Sequence, residues 1–147
     1  MSEVNEFESI VPYTDEEAVE ALGKLADHPA VMEISKSIFP DQKPEFLRTV
    51  LKSLKSIDEF QSLVMNKAVE WVLATTAHNF SYDGIANLKK IQGKFLALSN
   101  HRDIILDPAI TQVVLYRNGI PTTEIAVGSN LLSNKYIEYL IRSNRMI

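Results

Sequence analysis

The chain contains no cysteine, which excludes disulfides and thiolate metal sites and fits a reducing compartment. Charge of one sign is also not in excess. Lysine and arginine number 15 against 19 aspartates and glutamates, a formal net charge of -4, so no general nucleic-acid surface is expected and nucleic acid is not an expected partner. Only five glycines occur, and none forms a phosphate-cradling motif. A nucleophile elbow of the Gly-x-Ser-x-Gly kind is missing, and the three histidines are scattered with no ligand pair, so no metal is expected. Long hydrophobic runs are absent too. The richest apolar neighbourhood, Leu63 to Ala77, is broken by Asn66, Lys67 and Glu70 and falls short of a bilayer's thickness. Met1 to Glu8 is acidic and polar, without the basic start and apolar core of a secretion signal. What is present is an ordinary apolar fraction over 147 residues, enough for one domain or a piece of a larger one.

The first half reads as helices, a helical region over residues 1–80. Thr14-Asp-Glu-Glu17 is a capping box, and Ala18, Val19, Leu22, Leu25 and Ala26 then share one face. Pro29 ends that helix. Val31, Ile34 and Ile38 mark a second, and Phe46, Leu47, Val50, Leu51 and Leu54 a third, whose other side carries Arg48, Lys52 and Lys55. That basic side suits either solvent or an anionic membrane surface. Asp58 with Gln61 predicts a second capping box opening a largely buried fourth helix.

From residue 81 to 147 the pattern predicts a partial α/β domain. Phe95-Leu-Ala-Leu98 has the length of a buried strand and stops at Ser99-Asn-His-Arg-Asp103. Asp107-Pro108 then suits a helix start, Asn118-Gly119 a left-handed stop, and Glu124 to Gly128 a second apolar strand. Strand, helix, strand makes a parallel unit with a right-handed crossover. The expected fold class is therefore α/β, with the amino-terminal helices packed on the start of a mainly parallel sheet. Because two parallel strands are too few for a stable sheet, that sheet is expected to be truncated.

In such a sheet, loops past the carboxyl ends of strands hold the chemistry, which singles out His101. A histidine oriented by a carboxylate is the arrangement of a general base. Asp103, two residues on, and Asp107, at the expected helix start, are both candidates for a partner within hydrogen-bond reach. The plain alternatives are an N-cap role for Asp107 and a backbone-bonded loop histidine. Gly128-Ser-Asn130 forms a second such loop.

Ser99-Asn-His-Arg-Asp-Ile-Ile-Leu-Asp-Pro108 resembles the first signature block of the glycerol-3-phosphate and 1-acylglycerol-3-phosphate acyltransferases. Ile120-Pro-Thr-Thr-Glu-Ile-Ala-Val-Gly-Ser-Asn-Leu-Leu132 is similar to the segment that follows it in the glycerol-3-phosphate branch. The resemblance spans about Gly84 to Ile147. It implies a fatty acyl transfer from acyl-CoA or acyl carrier protein to the hydroxyl of glycerol 3-phosphate or its monoacyl form, with no further cofactor. His101 is then the base. The family's aspartate stands five positions after the histidine, where this chain has Leu106. Asp107 is read across a one-residue insertion, with Asp103 as competitor. Arg102 falls where the branch is often basic and is a candidate for phosphate, with Gly128 and Asn130 as further substrate-binding candidates. The later phosphate-binding block is not found beyond a likeness of Arg142 and Arg145 to its beginning, so this chain by itself is expected to be weak or inactive. The implied setting is cytoplasmic, with peripheral contact at the inner face of the cell membrane. Two other classes stay open: a non-catalytic binding module of the same fold, and an acyl-thioester hydrolase in which water replaces the glycerol hydroxyl.

Overall fold

The computed structural model describes residues 11–147, so the reading of Met1 to Glu8 lies outside the described residues. The chain packs as two units, one formed by the residues up to Lys67 with Glu124–Ile147, the other by Ala68–Thr123.

The first unit is helical, and its sequence signals explain why. Helix α1 (Asp15–Leu25) starts at the Thr14 capping box: the Glu17 N–H donates to Thr14 Oγ1 at 3.3 Å, and the Thr14 N–H donates to the Glu17 carboxylate at 2.8 Å. Its buried face, Ala18, Ala21 and Leu22, is the expected one. Helices α2 (Ala30–Ile38) and α3 (Phe46–Ser53) follow. They are pinned by the Leu47 N–H donating to the buried Ser35 hydroxyl at 3.2 Å. Helix α4 (Ile57–Phe60) runs into a π-helical segment (Gln61–Met65) and then α5 (Asn66–Thr76). Leu22, Ala26, Val31, Leu47, Leu51, Leu54, Phe60 and Val64 close the core, with Phe60 fully buried.

The fourth helix corrects two expectations. Its cap is Ser56, whose hydroxyl accepts from the Glu59 N–H at 3.2 Å, whereas Asp58 points to Arg145 at 2.6 Å. Nor is it buried all round, since Leu63 and Trp71 are exposed. The basic side of α3 is partly neutralised: Arg48 and Lys52 both meet Asp27 Oδ1, at 2.6 and 2.7 Å.

The parallel α/β sheet does not form. Among the described residues the β pairing is a single parallel bridge between Ile125 and Met146. Around it the Ile125 N–H donates to the Arg145 carbonyl, the Ile147 N–H to the Ile125 carbonyl and the Val127 N–H to the Ile147 carbonyl. What brings the chain back beside Ile125 is Arg145, in the left-handed region at φ 59° just after α8 (Lys135–Arg142). Phe95–Leu98, expected as the first strand, carries no regular structure. The physical reason is a lack of partners. A strand is stabilised by inter-strand hydrogen bonds and cross-strand side chains, and the apolar faces of the first unit's helices satisfy one another instead.

The second unit is built on α5, the short α6 (Ile85–Leu88) and α7 (Leu106–Arg117). Val69, Leu73 and Val113 are its buried cluster, with Ala77, Phe80, Ala109 and Ile110 against them. Asn118-Gly119 stops α7 as expected. Gly119 takes φ 67°, its N–H donates to the Tyr116 carbonyl and the Ile120 N–H to the Leu115 carbonyl, a Schellman turn.

Candidate functional site

His101 lies in a loop, exposed, ahead of a turn that leads into α7. It does not follow a strand, because Phe95–Leu98 is not one. The turn is held by two carboxylates acting on the backbone. Asp107 Oδ2 accepts the Arg102 N–H at 2.6 Å and the Asp103 N–H at 3.1 Å, and Asp103 Oδ1 accepts the Ile105 and Leu106 N–H groups at 2.8 and 2.7 Å. Each aspartate thus fills donors that the other's region leaves unpaired.

This reverses the expected division of labour at the helix start. Helix α7 begins at Leu106, so Asp107 lies in its first turn and the acceptor at the helix end is Asp103. A cap residue followed by proline is a start signal in Asp107-Pro108, yet proline is tolerated throughout the first turn, where its missing N–H costs nothing. The N-cap position itself is Ile105, and Asp103, two residues before it, supplies the carboxylate that accepts from the Ile105 and Leu106 N–H groups.

Both carboxyl groups are held below the ordinary aspartate range. For Asp103 the main cause is the N–H groups of Leu106 and Ile105, and for Asp107 those of Asp103 and Arg102. Among the described residues His101 has no hydrogen-bonded carboxylate: the direct imidazole–carboxylate contact is not made by either aspartate. Arg102 lends its N–H to Asp107, while its guanidinium forms no ion pair among the described residues.

Gly128 and Asn130 belong to the other unit. Gly128 precedes a 3₁₀ turn (Ser129–Ser133), and the Asn130 side chain folds back so closely that a Cβ on residue 128 would meet its Oδ1 at 2.5 Å. Arg142 and Arg145, read from sequence as the start of a phosphate block, are engaged within that unit. Arg142 donates to the Val11 carbonyl at 2.7 Å and covers the Tyr13 ring, and Arg145 holds Asp58 and Gln61. No group of three potential metal ligands occurs among the described residues. No helix among them is long and apolar enough to cross a membrane.

No family model, curated protein or solved structure matches the chain.

Proposed function

We propose that this chain carries the base-bearing part of an acyltransferase centre, transferring a fatty acyl group from an acyl thioester to a hydroxyl of glycerol 3-phosphate or its monoacyl form. The supporting observation is the junction ahead of α7: an exposed imidazole whose neighbouring backbone is pinned by two ionised carboxylates. A nitrogen of His101 takes the hydroxyl proton as the oxygen bonds to the thioester carbonyl carbon. The tetrahedral intermediate collapses, the carbon–sulfur bond breaks, and the departing thiolate takes the proton back from the imidazolium. Asp107 is a positioning residue here. It accepts from the peptide N–H that directly follows His101 and so holds the turn that carries the imidazole. Asp103, which accepts from the Ile105 and Leu106 N–H groups of the same turn, is its competitor. Arg102, whose guanidinium forms no ion pair among the described residues, is assigned to the acceptor phosphate. A long-chain donor brings the reaction to a membrane surface, hence peripheral contact.

Positioning of the acceptor supplies much of such a rate, and no complete phosphate-binding block occurs in this sequence, so slow transfer is expected. Single-turnover assays with labelled acyl thioester, with and without glycerol 3-phosphate, are therefore the measure. His101→Ala is expected to slow transfer about 10²–10⁴-fold. Its helical circular dichroism and melting should be unchanged, since the side chain lies outside the core. Turnover that ignores glycerol 3-phosphate would point to the hydrolase, and undiminished transfer by folded His101→Ala would overturn the mechanism.

A further inference from the structure

Directly before the His101 turn, Lys94–Asn100 combines exposed apolar side chains with unpaired main chain. Leu96 and Leu98 are 83% and 87% exposed and Phe95 40%. In the same stretch no backbone N–H or carbonyl has a hydrogen-bond partner among the described residues. Unpaired main chain beside exposed apolar side chains is the chemistry of an open strand edge, which pairs with another extended chain. We infer that Lys94–Asn100 pairs antiparallel with the same segment of a second copy of this chain, in the register that sets Ala97 opposite Ala97.

The segment is its own complement in that register. Side chains alternate faces in an extended strand, and directly opposed residues share a face. Residue numbers of opposed residues then sum to the same value, so Leu96 faces the partner copy's Leu98 and, by the two-fold axis, Leu98 faces its Leu96. Four leucines close one side. Phe95 stands opposite Ser99 and Lys94 opposite Asn100, so no like charges are directly opposed. A register moved by two positions toward the histidine sets Leu96 against Asn100 and keeps one leucine pair of the two. The pairing also supplies the partner whose lack leaves Phe95–Leu98 without strand structure in one copy. A two-stranded ribbon is marginal in water, so the dimer is reversible and grows with concentration.

Sedimentation equilibrium on the full chain tests this, with circular dichroism confirming the fold of each variant. The wild type is expected to dimerise reversibly, with backbone amides of Lys94–Asn100 slowed in hydrogen exchange at high concentration. L96E/L98E opposes glutamates at two symmetric pairs and should weaken association at least about tenfold. L96K/L98E sets each lysine against the partner copy's glutamate and should restore it. A wild type that stays monomeric to about 1 mM overturns the proposal. So does L96E/L98E matching the wild type, or L96K/L98E failing to exceed it.

Discussion

The two units hold their shapes by different means. In the unit that contains α1 to α4, seven buried residues interlock around Phe60, and apolar faces at helical spacing do most of the work. In the unit that contains α7, the buried cluster is Val69, Leu73 and Val113, and the fixed points are largely polar: the Arg117–Glu70 pair, the Schellman turn, and the two aspartates on backbone N–H groups. A small core leaves side chains and main chain accessible. The exposed imidazole and the open Lys94–Asn100 edge are found where burial is least, which is also where a site needs access.

Core truncation should break this contrast most visibly. Phe60→Ala removes a fully buried ring and is expected to cost about 3–5 kcal/mol. Val113→Ala removes two methyl-sized groups from a thin cluster and should cost about 2 kcal/mol or less. Urea titrations followed by helical circular dichroism, with the single Trp71 reporting on the smaller unit, measure both. Equal losses would show that the smaller core is as tightly coupled as the larger.

The polar fixed points can be weakened next. Arg117 holds Glu70 in a two-pronged pair, Nε at 2.7 Å and a terminal nitrogen at 2.5 Å, and its guanidinium covers the Phe80 ring at 5.5 Å from the centroid. Both side chains are about one-third exposed, so solvent discounts the pair. Arg117→Lys keeps the charge and loses the fork, and a loss of about 1 kcal/mol is expected in the Trp71 transition. A neutral result would show that the pair is not one of the unit's fixed points.

Legibility in the sequence follows the same division. Thr14 with Glu17, the apolar faces of α1 to α3, and Asn118-Gly119 were readable because each signal is local: a side chain meets backbone three or four residues away, or a glycine takes a positive φ. Phe95–Leu98 was not, since an apolar run records a need for burial while the partner that would make it a strand lies elsewhere. Local rules also misplaced two caps. Ser56 precedes Asp58, and Asp103 precedes Asp107, and in each pair the earlier residue takes the helix end while the later one is drawn off, by Arg145 or by the loop N–H groups. His101 was found at its loop from the polar break that follows Leu98. Its lack of a hydrogen-bonded carboxylate was not readable, because the competing donors are backbone groups common to every residue.

The smallest expected effect separates the units by the origin of their depressed carboxylates. Asp27, in the larger unit, is lowered mainly by the Lys52 and Arg48 side chains, whereas Asp103 and Asp107 are lowered mainly by backbone N–H groups. The sign is shared. A carboxyl group whose folded value lies below its unfolded value of about 3.9 contributes stability that is complete above that value and is lost as pH falls through the folded one. Neither site should change between pH 7 and about 5, and both should loosen below about pH 4. Salt tells them apart, because an exposed ion pair is screened at high ionic strength while a carboxylate bonded to adjacent amides keeps its partners at contact. Amide chemical shifts of Arg102, Asp103, Ile105 and Leu106, followed from pH 7 downward at low and high salt, are expected to titrate at nearly the same pH in both. The Asp27 carboxyl should titrate higher in high salt. Replacing Asp107 by asparagine should remove the acid transition at Arg102 while leaving that at Leu106, because Leu106 donates to Asp103. Should the Arg102 transition persist in Asp107→Asn, another group governs the turn beside His101, and the positioning role falls to Asp103.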